Sequence, residues 1–131
     1  MIQHTILIIE DSLTSQTILR GILQQAGYHV ISAASGAEAR TIFSATPITA
    51  ILLDLILPDL SGYDLFREIR QLEDTKLVPV IMLTQRRSHT EQDYGTLLGA
   101  DAYITKPFED ALLLDTLERV ITNSGTAHKI S

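Results

Sequence analysis

The chain has 131 residues, 45% of them hydrophobic, no cysteine and no tryptophan, and a formal net charge of −6. This length suits one domain, the lack of cysteine excludes disulfides and thiolate metal sites, and the acidic balance argues against a nucleic-acid partner. No run approaches the roughly 18 apolar residues of a membrane span, and no basic signal sequence precedes the first strand. We therefore expect a cytoplasmic protein without membrane insertion.

The first half of the chain alternates short apolar runs with segments of helical period. Its predicted elements are, in order, a strand at Thr5–Ile9, a helix at 13–26, a strand at His29–Ala33, a helix at 35–43 and a strand at 50–53. The first helix has an apolar stripe that we expect to face inward, made of Ile18, Leu19, Ile22, Leu23 and Ala26. The second begins with a capping-box pattern, in which Glu38 follows Ser35 by three residues.

The second half continues the alternation. It contains a predicted helix at about 62–72, a strand at 79–83, a helix at about 88–98, a strand at 102–104 and a helix at about 110–122. The third helix should bury Leu65, Phe66, Ile69 and Leu72. The segment 88–98 has the weakest helical pattern, because it is polar and contains Gly95, which costs about 1 kcal/mol relative to alanine. We expect residues 1–122 to form the domain and 123–131 a frayed polar tail.

This alternation predicts the α/β class, with a doubly wound, five-stranded parallel sheet and five helices. Right-handed crossovers bring the carboxyl ends of all the strands to one edge of the sheet. The sequence does not reveal the strand order, but the order 2-1-3-4-5 has its switch point between strands 1 and 3. Those strands end in Glu10-Asp11 and in Asp54, so topology and carboxylates converge on one crevice.

Three carboxylates in one crevice repel one another and attract a cation. Two unit charges 4 Å apart interact by roughly 4 kcal/mol at an effective dielectric near 20. Oxygen ligands alone favour Mg²⁺, Mn²⁺ or Ca²⁺ over zinc. Thr84 ends the fourth strand and Lys106 follows the fifth, which adds a hydroxyl and an ammonium group. With Asp54 as a carboxylate nucleophile, this set is the one that phosphoryl transfer uses.

Each of these residues alone also has an ordinary structural explanation. Asp54 could be a turn or cap residue, Glu10-Asp11 could complement the dipole of the first helix, and Lys106 could belong to an ordinary loop. The combination favours the functional interpretation, because four different strand ends each supply a group that phosphoryl transfer needs.

Four segments resemble, in order and spacing, the response-regulator receiver domains of two-component signalling. They are 8–12 (IIEDS), 54–62 (DLILPDLSG), 79–84 (PVIMLT) and 99–108 (GADAYITKPF). The resemblance implies a flavodoxin-like (CheY-like) fold with strand order 2-1-3-4-5. It also implies a stand-alone receiver at residues 1–122 that switches protein contacts, or a receiver excised from a longer regulator.

The resemblance also implies roles for the acidic residues. Asp54 would accept a phosphoryl group from the phosphohistidine of a sensor histidine kinase or phosphotransfer protein. Asp11 would bind Mg²⁺ directly and Glu10 directly or through water, with Asp54 and the backbone carbonyl of Ile56 completing the site. Mn²⁺ or Ca²⁺ could replace Mg²⁺. The chain would not be an enzyme beyond Mg²⁺-dependent self-phosphorylation and slow self-dephosphorylation.

Further roles implied by the resemblance concern phosphate binding and output. Thr84 and Lys106 would bind phosphate oxygens, and the Lys106–Pro107 peptide bond would be cis. Tyr103 would be a switch aromatic that swings inward when Thr84 engages phosphate, although a partly buried strand aromatic is an equal alternative. The first helix would dock the kinase. The surface of the fourth helix, fifth strand and fifth helix would contact an unknown protein target or form a homodimer.

Two positions depart from the family pattern. Gln85 stands where the family usually has a small residue, and its bulk over the phosphate route predicts a long-lived phosphoryl group. Ile56, two positions after the acceptor, cannot orient a water by hydrogen bonding. The following Arg86-Arg87 pair fits a solvated loop or a contact with an acidic partner.

Three other functions remain as alternatives. A phosphatase of the haloacid-dehalogenase kind needs a second aspartate where this chain has Ile56. A flavodoxin-like FMN carrier needs a phosphate-binding first loop, which Glu10-Asp11 would repel. A receiver-fold interaction module that works without phosphorylation is disfavoured because the full set of site residues is present.

Overall fold

In a computed structural model, residues 3–84 and 99–130 are described, with side chains up to residue 124. The strands are β1 (Thr5–Ile9), β2 (His29–Ala33), β3 (Ala50–Asp54), β4 (Val80–Thr84) and β5 (Ala102–Thr105). The helices are α1 (Leu13–Gln25), α2 (Gly36–Phe43), α3 (Gly62–Gln71) and a C-terminal helix (Asp110–Ile130). The helix predicted at 88–98, together with Gln85, Arg86 and Arg87, lies outside the described residues.

All neighbouring strands pair in parallel, and the sheet order is β2-β1-β3-β4-β5. The predicted α/β fold class and strand order are therefore confirmed, with the second and fifth strands at the two edges of the sheet. Every residue of β3 and β4 is buried, as expected for central strands covered on both faces. The β1–β3 register pairs Ile9 with Leu53, which brings the residues after both strands to the same edge.

Helices cover both faces of the sheet and define two apolar cores. Leu19 and Leu23 of α1 pack with Leu113 and Leu117 of the C-terminal helix on one face. On the other face α2 and α3 contribute Ala39, Phe43, Leu65, Phe66 and Ile69. Among the described residues, no helix has both the length and the apolar character that a bilayer span requires.

Serine side chains begin the first three helices. Ser12, Ser35 and Ser61 are the N-caps of α1, α2 and α3, and each side chain accepts a backbone N–H from the first turn. The capping box predicted at Ser35 is present in a shifted form. Glu38 N–H donates to Ser35 Oγ at 3.1 Å, and the Glu38 carboxylate accepts from Ala34 N, one residue before the cap.

Several sequence-based predictions about the helices are wrong. Ile18 is 56% exposed and Ala26 is exposed, because the buried stripe of α1 is centred on Leu19 and Leu23 and Ala26 is already the C-cap. Leu72 is 42% exposed because this C-cap residue adopts an extended conformation and leaves the helical stripe of α3.

The end of the C-terminal helix also differs from the prediction, which was about residue 122. The helix continues to Ile130. Once a helix has formed, each added residue gains one hydrogen bond, so a segment without proline can extend it despite one glycine. The division into a domain at 1–122 and a tail at 123–131 stays a prediction. The fourth strand begins at Val80 rather than Pro79, since proline has no N–H for the ladder.

Candidate functional site

The acidic residues of the candidate site follow two adjacent central strands. Asp54 is the last residue of β3, and Glu10 comes directly after β1, where its N–H donates to Ala33 O at 3.0 Å. The Glu10 side chain is buried, the Asp54 side chain is nearly so, and Asp11 is exposed. The sheet edge therefore presents two sheltered carboxylates and one that faces solvent.

The three carboxylates converge on one point. One oxygen each from Glu10, Asp11 and Asp54 lies within 4.8 Å of the others. Within the described part of the chain, Glu10 Oε2 is buried and has no hydrogen-bond partner. A buried acceptor without a partner is costly, and a cation held between these oxygens would satisfy it. The residues therefore fit a hard divalent ion such as Mg²⁺, which prefers carboxylate oxygens.

Lys106 brings a positive charge to the same cluster. Its Nζ lies 3.3 Å from Glu10 Oε1 and 3.2 Å from Asp54 Oδ2. The backbone places it there, because Lys106 N–H donates to Thr84 O at 2.6 Å and so continues the β4–β5 pairing. The Lys106 side chain is only 15% exposed, so this ion pairing takes place in a sheltered environment.

The environment of the cluster changes the pKa of Glu10. Burial of its carboxyl raises the pKa of Glu10 most, and the neighbouring Asp54 carboxylate raises it further, because Asp54 can accept a hydrogen bond only from protonated Glu10 and repels its charged form. Together these effects raise the pKa of Glu10 to about 7. The ammonium of Lys106 acts in the opposite direction but with less effect. Near neutral pH Glu10 is therefore about half protonated when no cation is bound, and a cation that binds the carboxylates must displace this proton.

The loop after Asp54 is tightly closed. Ile56 N–H donates to Asp54 Oδ1 at 2.9 Å, Gly62 N–H donates to Leu55 O at 2.9 Å, and Ile56 forms an isolated bridge with Ser61. A Cβ at Gly62 would lie 2.6 Å from both Asp54 O and Leu55 Cα, so only glycine fits there. These contacts hold the backbone of Ile56 beside the Asp54 carboxylate.

The remaining predicted residues lie on β4, β5 and the turn that follows. Thr84 is the last residue of β4 and is buried. Tyr103 lies on β5 with a buried hydroxyl that lacks a hydrogen-bond partner among residues 3–84 and 99–124. The Lys106–Pro107 peptide bond is cis, which confirms that prediction. The structure thus brings Glu10, Asp11, Asp54 and Lys106 together, with Thr84 on the strand beside Asp54.

Sequence reasoning missed two residues around the site. Gln16 of α1 donates its side-chain N–H to Glu10 O at 2.5 Å. Asp59, in the loop after β3, accepts two backbone N–H groups from the start of α2. For the contact of Gln16 with Glu10, the only sequence signal is a polar residue near the start of α1. No local pattern could indicate the second, because its partners lie 23 and 22 residues away.

Comparison with known proteins agrees with this geometry. Residues 6–118 match the family model of the response regulator receiver domain. The chain belongs to the response-regulator receiver domain family. Receiver domains are signalling domains of two-component systems.

Two curated relatives illustrate the range of receiver-containing proteins. The Protein PilH of Pseudomonas aeruginosa is 30% identical over 116 residues, which cover 88% of this chain and 96% of PilH. The probable transcriptional regulator ycf27 of Porphyridium aerugineum is 40% identical over 124 residues, or 92% of this chain and 50% of ycf27. This receiver thus spans about half the length of several curated relatives that it matches.

Solved structures show the same fold. A putative response regulator from Chloroflexus aurantiacus superposes with a TM-score of 0.88 at 35% identity, covering 92% of this chain and 99% of that one. The receiver domain of sensor histidine kinase PA1611 from Pseudomonas aeruginosa gives a TM-score of 0.84 at 35% identity, with the same two coverages. That structure is described with a magnesium ion coordinated in its active site cleft.

Proposed function

We propose that this receiver accepts a phosphoryl group on Asp54 from the phosphohistidine of a histidine kinase or phosphotransfer protein, in a reaction that requires Mg²⁺. The observation that carries the proposal is the position of Lys106 Nζ, within 3.3 Å of carboxylate oxygens on both Glu10 and Asp54. Three separate strand ends contribute these groups. A fold that only needed stability would gain little from gathering two sheltered acids and one lysine.

Glu10, Asp11, Asp54 and the backbone carbonyl of Ile56 would hold the Mg²⁺, and Mn²⁺ or Ca²⁺ could replace it. When bound, the ion would offset the negative charges of the carboxylates and of the incoming phosphoryl group. Asp11 is exposed and can exchange water for the ion without disturbing the core. Glu10 would lose its proton, since its protonated carboxyl is a poorer ligand than the carboxylate.

In the transfer itself, one Asp54 oxygen would form a bond to phosphorus as the bond from phosphorus to the histidine nitrogen breaks. The nitrogen leaves with the bonding electron pair and takes up a proton. Lys106 would exchange its present contact with Asp54 for one with a phosphate oxygen, and Thr84 would donate its hydroxyl to another. Both residues would thus stabilise charge on the transferred group.

Phosphorylation would then shift the receiver between two conformations. Tyr103 supports this part of the proposal, because its buried hydroxyl has no hydrogen-bond partner among the described residues. An unpaired buried hydroxyl costs about 1–3 kcal/mol, so a conformation that satisfies it is within reach. The output surface would include β5 and the C-terminal helix, and either a target protein or a second copy could bind there. The kinase would dock on α1, where Leu13 is exposed and Ile18 is exposed beside Lys106, Pro107 and Phe108.

The domain at 1–122 would act in the cytoplasm, where it could meet its kinase. A receiver within a longer regulator is a second candidate, since several relatives are about twice as long as this chain. The same site chemistry would serve in either case. Slow self-phosphorylation from small phosphodonors, and slow self-dephosphorylation, would accompany either function.

One titration tests the proposal directly. ¹⁵N-labelled protein is mixed with Mg²⁺ and beryllofluoride, which mimics an aspartyl phosphate, and the amide shifts of Tyr103 and of the site residues are followed. We expect saturable shifts in the wild type and none in Asp54→Ala. A wild type that does not respond when both reagents are present would contradict the phosphoacceptor role and favour an interaction module that works without phosphorylation.

A further inference from the structure

Asp59 lies in the loop at residues 54–62, which follows β3, and it connects this loop to α2. None of the predicted site residues lies on α2. Its Oδ1 accepts Gly36 N–H and its Oδ2 accepts Ala37 N–H, both at 2.9 Å. These donors are the first two residues of α2, so one carboxylate from the loop after β3 occupies the N-terminus of that helix. The two N–H groups also lower the pKa of the Asp59 carboxyl from its ordinary value, with the Gly36 bond as the larger cause.

The helix does not need Asp59 to begin. Ser35 is the N-cap of α2 and its side chain accepts Glu38 N–H at 3.1 Å, while Ser35 O accepts Ala39 N–H at 3.1 Å. Glu38 in turn accepts from Ala34 N. The local sequence thus supplies a complete cap of the usual kind, and the Asp59 carboxylate is an additional contact that comes from the site loop.

The loop and α2 also pack closely where Asp59 contacts the helix. A Cβ built on Gly36 would collide with the side chain of Leu60 and would lie 3.4 Å from both carboxylate oxygens of Asp59. The loop tip therefore rests directly on the backbone of α2, at a place where any larger residue would have to push the Leu60 side chain aside. Gly62, at the other end of the same loop, also packs closely, since a Cβ there would lie 2.6 Å from the backbone of Leu55.

We infer that Asp59 is a positioning residue for the phosphoryl-transfer site, which anchors the tip of the 54–62 loop on α2 and thereby fixes the backbone of Ile56 beside Asp54. The base of the loop is closed by the bonds of Ile56 N–H to Asp54 Oδ1 and of Gly62 N–H to Leu55 O. Without an anchor at the tip, the segment between these bonds could shift. The inference rests on the proposed function in one respect, namely that the Ile56 carbonyl is a ligand of the divalent ion.

The test compares two residues that cap the same helix. Asp59→Ala removes the contact from the loop, and Ser35→Ala removes the cap that belongs to the helix itself. Mg²⁺ is titrated into each variant at about 0.15 M ionic strength, where charges more than about 8 Å apart are largely screened. The amide shifts of Asp11 and Asp54 report binding. Asp64→Asn, which removes an exposed charge from α3, is the control for charge alone.

We expect Asp59→Ala to weaken Mg²⁺ binding about tenfold, as residues that orient metal ligands typically do. Ser35→Ala and Asp64→Asn should bind like the wild type. Gly36→Ala, whose methyl group would displace Leu60, should weaken binding in the same direction as Asp59→Ala. Asp59→Asn, which keeps one acceptor oxygen, should give an intermediate affinity and serves as the milder variant if Asp59→Ala unfolds.

A second readout needs no metal. Hydrogen exchange of the Ile56 and Gly62 amides should be several-fold faster in Asp59→Ala than in the wild type, and unchanged in Ser35→Ala. Equal effects of Asp59→Ala and Ser35→Ala on both Mg²⁺ affinity and loop exchange would overturn the inference and leave Asp59 as a helix cap only. A wild type that binds no Mg²⁺ would instead contradict the proposed function, and the exchange comparison would then decide the role of Asp59.

Discussion

The ammonium nitrogen of Lys106 lies 3.2 Å from the Asp54 carboxylate, although 52 residues separate the two in the chain. The same nitrogen lies 3.3 Å from Glu10, 96 residues away. Lys106 is therefore the group through which the ends of β1, β3 and β5 meet. Its ammonium group would contact an oxygen of a phosphoryl group on Asp54. Replacing Lys106 should therefore slow phosphorylation of Asp54 without unfolding the protein.

Lys106→Met should lower the rate of Asp54 phosphorylation about 100-fold or more, because it removes a charged donor aimed at the transferred group. The rate can be measured with acetyl phosphate and Mg²⁺, by separating the phosphorylated protein on a phosphate-affinity gel. Lys76→Met is the matched control, since Lys76 pairs with Glu73 on an exposed surface. Similar rates in both variants would show that Lys106 has no part in the reaction.

Glu10 should make the metal-free protein less stable as pH rises from about 4.5 to about 7. The pKa of its carboxyl is about 7 in the folded state against 4.5 for an unperturbed glutamate, so over this range the folded state holds a proton that the unfolded state has released. The free energy of unfolding therefore decreases with pH, by about 1–3 kcal/mol in total.

Urea unfolding in EDTA at pH 5, 6, 7 and 8 measures this slope. Glu10→Gln should remove most of the decrease, because glutamine does not titrate. The difference between the two proteins isolates Glu10 from the other acids, such as Glu68, whose pKa is lowered by its hydrogen bond with Arg40. If wild type and Glu10→Gln had the same slope, Glu10 would not hold the proton.

Mg²⁺ should stabilise the wild type and should not stabilise Asp11→Asn. A ligand that binds only the folded state adds about 1.4 kcal/mol when its concentration is about ten times the dissociation constant. Asp11 is exposed and belongs to a cluster of three repelling acids, so its replacement should leave the stability of the metal-free protein unchanged or raise it. Thermal unfolding with and without MgCl₂ measures both effects.

The exposed residue Asp115 on the C-terminal helix offers a control of the same chemistry. Asp115→Asn should keep the full stabilisation by Mg²⁺. If Asp11→Asn kept it too, the ion would bind somewhere other than the Glu10, Asp11 and Asp54 cluster.

Gly62→Ala should destabilise the protein by about 1–3 kcal/mol, because the added methyl group would force the backbone away from Asp54 and Leu55. Gly21→Ala provides a sharp contrast. Gly21 lies within α1 with nothing within 4 Å of its missing Cβ, so alanine should stabilise the helix by about 0.5–1 kcal/mol. Urea unfolding should thus give opposite signs, and equal signs would mean that the loop after β3 adapts freely.

Gln85→Ala should shorten the lifetime of the phosphoryl group on Asp54, because a smaller side chain after Thr84 would open the route for water. The decay of ³²P-labelled protein after removal of the donor measures that lifetime. Gln85 lies outside the described residues, so this prediction comes from the sequence alone. Decay no faster than in the wild type would count against a shielding role.

The sequence by itself determined the local features of this receiver. The alternation of apolar runs and helical segments located the five strands, and the serines at 12, 35 and 61 lie where α1, α2 and α3 begin. Carboxylates directly after two aliphatic runs predicted an acidic crevice, because the ends of parallel strands share one edge of the sheet. Such features depend on neighbours a few residues apart, and a pattern in the sequence can express them.

Only the tertiary structure decided which side chains meet and what environment they share. The raised pKa of Glu10 depends on burial and on Asp54, which lies on another strand, and the contact of Asp59 with α2 joins residues 23 apart. Ile18 matches the apolar period of α1, yet it faces the surface because the helix presents Leu19 and Leu23 to the sheet. Burial and long-range contacts belong to the packed chain as a whole, so no local stretch of sequence contains them.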